Sequence, residues 1–78
     1  MKVRVLVSLK PGVLDAQGRA IEHALTDLGY AQVQGVRTGK QIVLDLATDD
    51  AEKARALASE LCEKLLANPV IEQFEILV

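Results

Sequence analysis

"AQVQGVRTGKQIVLDLA" occupies residues 31–47, and its reading decides the fold. The two halves, "AQVQGVR" (31–37) and "KQIVLDLA" (40–47), have the look of strands, with apolar residues recurring at alternate positions. Thr38-Gly39 between them supplies a short turn, so the stretch predicts a β-hairpin. Val33 and Val36 are out of phase for a single face, which makes Gly35 a candidate β-bulge.

Upstream, Val3, Val5, Val7 and Leu9 alternate with Lys2, Arg4, Ser8 and Lys10, a first strand broken on its polar side only by Leu6. After Pro11-Gly12 the period changes. Ala20, Ile21, Ala24, Leu25 and Leu28 fall on one helical face, with Asp15 as N-cap and Gly29 just past the end. Gly18 sits in the first turns of that helix, where glycine costs about 0.5–1 kcal/mol relative to alanine. Its presence implies that another chain or element approaches the backbone there.

Downstream, "TDDAEKARALASELCEKLLANP" (48–69) predicts a second helix. Asp49 and Glu52 form a capping-box pattern, Ala54, Leu57, Ala58, Leu61, Leu65 and Leu66 make the apolar stripe, and Asn68-Pro69 ends it. "VIEQFEILV" (70–78) is a last strand with Phe74, Ile76 and Val78 on one side. The order β-α-β-β-α-β is that of ferredoxin-like α+β domains, an antiparallel sheet with two helices on one face. Leu6, Val43, Ala47, Ile71 and Leu77 fall off the main apolar phase, so the second sheet face is also apolar. An exposed antiparallel face is ordinarily polar, and a dimer formed through the sheet would cover this one.

The bulk numbers point the same way. Residues 1–78 make one small domain, and a chain of this size buries only about 60% of its unfolded surface. There is no Trp, and Phe74 and Tyr30 are single, so the core must come from Val, Ile, Leu and Ala. Cys62 is alone and His23 is the only histidine, which excludes an internal disulfide and argues against a metal cluster. Self-association is the remaining device for a small fold. The net charge of −2 argues against nucleic acid, and no stretch approaches the roughly 20 apolar residues that span a bilayer. With no signal-peptide pattern in its first residues, the chain is expected in the cytoplasm. Residues 1–40 carry six basic and three acidic side chains and residues 41–78 three basic and eight acidic, an asymmetry that suits either complementary faces or an ordinary solvated surface.

No segment carries a catalytic constellation. "VQGVR" (33–37) is like an acylphosphatase phosphate loop but follows the first helix, where that family's loop precedes it. "GVRTGKQ" (35–41) is one residue short of a Walker A loop, lacks its Ser/Thr and precedes a strand. Arg37 and Lys40 beside Gly39 remain a place for an anion or an acidic partner, or simply a charged hairpin tip. His23 lacks a partnered nucleophile, Cys62 reads as a small buried residue, and Asp15 as a cap in preference to a general base.

Three blocks, "VSLKPGVLDAQGRAIEHAL" (7–25), "VQGVRTGKQI" (33–42) and "LCEKLLANPVIE" (61–72), together resemble the PurS family, the small subunit of phosphoribosylformylglycinamidine synthase. Ala16 departs from the proline common there, and alanine also suits a helix start. The resemblance implies a dimer or tetramer in purine biosynthesis with no active site of its own. It would bring together a large synthase subunit, which uses ATP and Mg, and a glutaminase subunit that supplies ammonia; this chain would hold no cofactor or metal. On these blocks and their local chemistry, the expected partner contacts are Leu14, Asp15, Gln17 and Gly18, then Arg37, Lys40 and Asn68. The alternative is an ACT-like regulatory module, which shares the element order and binds a small molecule at the first strand–helix junction, where Gly12 and Gly18 permit a niche.

Overall fold

Strand β1 (Lys2–Leu9) lies at the centre of the fold, because its Val3-Val5-Val7 face is the most apolar surface the chain offers. In the computed structural model, which describes residues 1–78, β1 is followed by α1 (Ala16–Asp27), β2 (Gly39–Asp45), α2 (Ala51–Leu61) and β3 (Glu72–Leu77). The α+β class and the antiparallel sheet agree with the sequence reading. The sheet has three strands in the order β2-β1-β3. Val5 stands opposite Ile42 on β2 and Ile76 on β3, and Val7 opposite Phe74, so cross-strand pairs of branched and aromatic residues fill one face.

Onto that face α2 lays Ala54, Ala58 and Cys62, which are fully buried with Val3 and Val5. Alanine and cysteine are small enough to let the helix backbone come down on the valines. The helix then widens into a single π-helical turn over Cys62–Leu66, closed by the Ala67 amide donating to the Cys62 carbonyl at 3.1 Å. The extra residue in this turn rotates the chain beyond it, and Leu65 leaves the expected apolar stripe to stand 81% exposed.

Several finer expectations are corrected. Residues 31–37 form no strand within this chain, Gly35 is no bulge, and Thr38-Gly39 is no hairpin turn; the chain runs directly into β2 at Gly39. The reason is that Arg37 and Thr38 bond to the β1–α1 junction, and Val36 packs on it, instead of joining a neighbouring strand. The helices are not both on one face. The close packing on the sheet comes from α2 and the turn that follows it, while Gly18 is the one buried residue of α1 and Leu28 stands 72% exposed. Of the second-face set, Leu6, Val43 and Leu77 do lie opposite α2, flanked there by Arg4, Gln41 and Glu75; Ala47 and Ile71 lie outside the strands.

The second helix is capped one residue later than expected. Asp50, not Asp49, accepts from the amides of Glu52 (2.9 Å) and Lys53 (3.3 Å). Asp50→Ala lowers stability by about 1 kcal/mol in urea denaturation, the usual worth of such a cap, while Asp49→Ala leaves the midpoint close to the parent. The end of α1 matches the reading closely: the Gly29 amide donates to Thr26 and the Tyr30 amide to Leu25, both at 3.0 Å, with Gly29 at φ +93°, a Schellman close.

Candidate functional site

The end of β1 is built by a chain reversal that local residues dictate. Pro11 presets the first central position of a turn and Gly12, at φ +89°, takes the left-handed second one; the Val13 amide closes it onto the Lys10 carbonyl at 3.1 Å. Asp15 then starts α1. Its carboxylate accepts from the Gly18 amide at 2.8 Å, as an N-cap does.

The same carboxylate also reaches across to residues far along the chain. It accepts from the Thr38 amide and from the Thr38 hydroxyl at 2.9 Å. Asp15 is only 4% exposed, yet it lies a single layer deep in a thin molecule, so burial disfavours its charge less than the donors favour it. The Thr38 amide, foremost, then the Gly18 amide, the Thr38 hydroxyl and the Arg37 charge together hold its carboxyl below the ordinary 3.8.

Gly18 has the close neighbour its position implied, and the neighbour belongs to the same chain. A Cβ there would stand 2.5 Å from the Val36 carbonyl oxygen and 2.9 Å from the Asp15 carboxylate. Arg37 completes the junction: its two terminal nitrogens donate to the carbonyls of Val13 (3.0 Å) and Lys10 (3.3 Å), the residues that close the Pro-Gly turn. Far from being a loose cation at a hairpin tip, it braces the turn from outside.

The opposite strand joins the same end of the sheet. The Lys10 ammonium donates to the Pro69 carbonyl at 2.7 Å, and the Lys10 amide to the Ile71 carbonyl at 2.8 Å. Asn68 shapes the turn into β3, its side chain accepting from Val70 at 3.1 Å and its amide donating to Glu72 at 2.7 Å. Glu72, Gln17, Thr38 and Lys40 line one open hollow of about 200 Å³. All seven residues singled out in the sequence therefore gather around the C-terminal end of β1. Asp15, Gly18 and Arg37 act within the chain, whereas Leu14, Gln17 and Lys40 are exposed to solvent.

Sequence reasoning missed Thr38, Lys10 and Glu72. Each acts through a partner 23 or more positions away or through a turn, where periodicity carries no signal. The Asp15 carboxylate is taken up by donors of its own chain beside an open hollow of about 250 Å³ that it lines with Leu14, Arg19 and Arg37, His23 is exposed on α1, and the buried Cys62 thiol is pushed up by burial and by the neighbouring Glu63 charge, which favours its protonated form. No group of three or more His, Cys, Asp or Glu side chains is placed to hold a metal ion. A ligand carboxylate at the β1–α1 junction, as the ACT-like alternative requires, would find the Gly18 amide already bonded to Asp15.

Residues 2–78 match the sequence profile of PurS, described as phosphoribosylformylglycinamidine (FGAM) synthase. The chain belongs to the PurS family. The PurS subunit of phosphoribosylformylglycinamidine synthase from Bacillus subtilis is 51% identical over 73 residues, covering 94% of this chain and 86% of that protein. Among solved structures, PurS of Methanocaldococcus jannaschii, one of the subunits of formylglycinamide ribonucleotide amidotransferase in the purine biosynthetic pathway, superposes with a TM-score of 0.89 at 43% identity, over 97% of this chain and 92% of that one. A chain in the structure of PurLQS from Thermotoga maritima superposes with a TM-score of 0.88 at 34% identity, over 97% and 93% of the two chains. The PurS likeness thus runs through both helices, every strand and the β1 end.

Proposed function

We propose that this chain is the non-catalytic small subunit of phosphoribosylformylglycinamidine synthase, and that it brings the ATP-dependent synthase subunit and the glutaminase subunit together. The observation that carries this is the match over residues 2–78, together with the fold shared with a chain of the PurLQS structure. Under this reading ATP and Mg bind the synthase subunit, glutamine is the amide donor, and ammonia passes between the partner sites. The chain self-associates and works in the cytoplasm, where purine synthesis supplies its substrates.

The exposed groups at the β1 end are the contacts for the partner subunits: Leu14 as an apolar anchor, with Gln17 and Lys40 as polar neighbours. Asp15, Gly18, Arg37 and Asn68 hold that surface in shape. A rigid surface loses less entropy on docking than a mobile one, which is what the bonds beneath it provide. The test is reconstitution from purified synthase, glutaminase and this chain, reading glutamine-dependent product formation. Omitting the chain abolishes glutamine-dependent turnover while leaving the synthase active with free ammonia. Unchanged glutamine-dependent activity in its absence refutes the assignment.

A further inference from the structure

The sheet ends in two edge strands, β2 and β3, and the chain treats them differently. On β3 the Lys10 amide donates to the Ile71 carbonyl at 2.8 Å, one step beyond the Leu9–Glu72 pair in register. Bonding alternates along an antiparallel strand, so Gln73, Glu75 and Leu77 turn their amides and carbonyls to β1 as well. Glu72, Phe74 and Ile76 turn theirs outward. Such a row of backbone groups is a template for another strand.

Two bonds within the chain take up the ends of that row. The Glu72 amide donates back to the Asn68 carbonyl at 2.7 Å, inside the turn that leads into β3. At the other end the Arg55 guanidinium donates to the Ile76 carbonyl at 3.3 Å. Arg55 follows the buried Ala54 on α2, so the helix that covers the sheet also holds a cation over its margin. Between the two bonds only Phe74 keeps both of its backbone groups free. The β2 edge has no such cover. There the Leu46 amide donates to the Met1 carbonyl at 2.8 Å, which by the same alternation turns Gln41, Val43 and Asp45 outward, and no loop or side chain bonds to their backbone.

We propose that Arg55 guards the β3 edge: with the Asn68 turn, its guanidinium keeps β3 from pairing with β3 of another copy, so the sheet does not grow on this side. The geometry of the forbidden pairing is specific. Two β3 strands meeting about a two-fold axis would set Phe74 opposite Phe74 and Glu72 opposite Ile76, because Glu72 and Ile76 lie equally far from Phe74 along the strand. The Glu72 amide would then bond to the Ile76 carbonyl of the other copy. Those are the two groups already taken, one by Asn68 and one by Arg55. An incoming strand would have to draw the Ile76 carbonyl away from a charged donor and leave that guanidinium unpaired beside it.

The test is sedimentation velocity of the purified chain from micromolar to millimolar concentration, with the parent's own state as the baseline. Arg55→Ala is compared with Lys53→Ala, which removes the same charge from an exposed position of α2 whose side chain bonds to nothing. Alanine is the best helix former, and retained exchange protection of the Val3 and Val5 amides shows that each variant is folded. Arg55→Ala gains a species of twice the parent's size, its association tightened on the order of tenfold or more, and Lys53→Ala does not. The chain already carries a net charge of −2, so the loss of a cation by itself opposes association. In the larger species exchange of the Phe74 and Ile76 amides slows while that of Val43 stays as it was. N-methylation of Phe74, introduced into the Arg55→Ala chain by chemical synthesis, removes the free donor at the centre of the edge and returns the parent's state. An Arg55→Ala chain that sediments as the parent overturns the proposal. So does a larger species that Lys53→Ala also forms, or one that survives N-methylation of Phe74.

Discussion

Gly18→Ala destabilises the chain by about 2–3 kcal/mol, the cost of forcing an extra carbon into a filled space. In a domain of this size that lowers the thermal midpoint by roughly 10–20 °C. Helix propensity alone predicts the opposite sign, since alanine in a helix is favoured over glycine by about 0.5–1 kcal/mol. The packing effect wins because the added Cβ meets the Val36 carbonyl oxygen at 2.5 Å, and backbone yields less readily than a side-chain tip. Gln17→Ala, one residue earlier and exposed, changes stability by no more than about 0.5 kcal/mol and serves as the control in thermal denaturation. Gly18→Leu goes further and pushes 36–38 off the helix, so complex assembly falls more than for a leucine placed at exposed His23.

Asp15→Ala removes one acceptor and strands three donors: the Gly18 amide, the Thr38 amide and the Thr38 hydroxyl. Its effect exceeds that of Asp50→Ala, where the cap is exposed and both amides turn to water. Hydrogen exchange reads it site by site: the Gly18 and Thr38 amides lose protection together, while Val5 in the core keeps its own. The pH dependence stems from a carboxyl held below its ordinary 3.8 in the folded chain. Its contribution is fully present above that value and is lost as pH falls through the lower folded-state value, because the unfolded chain takes up the proton first. The parent therefore loses stability on acidification below about pH 4, and Asp15→Asn lacks that share of the loss. An Asp15→Asn acid-denaturation curve parallel to the parent's would remove the carboxylate from its central role.

What the sequence made legible was local. Val3, Val5 and Val7 announce β1 by alternation, Asp15 and Gly29 bracket α1 with their capping chemistry, and Gly18 betrays a close approach by standing where alanine is favoured. What escaped was set at a distance. The 31–37 stretch has strand-like composition, but Thr38 answers to Asp15 and Arg37 to Val13 and Lys10, and no spacing rule reveals a bond across 23 to 27 residues. The cap of α2 slipped by one residue because Asp49 and Asp50 offer the same chemistry. The π-helical turn left no mark in the pattern, so Leu65 was assigned to a stripe from which the turn expels it.

The double engagement of Asp15 also orders the events of folding. Its bond to Gly18 spans three residues and forms as fast as the helix itself, within about a microsecond. Its bonds to Thr38 wait until β2 pairs with β1, a closure that joins Ser8 to Gly39 across the whole of α1. The helix thus forms early but acquires its heading late, when Thr38 and Arg37 arrive to fix the junction from which it springs. A helix of twelve residues is marginal by itself in water, so the same long-range bonds that set the heading of α1 also hold it folded.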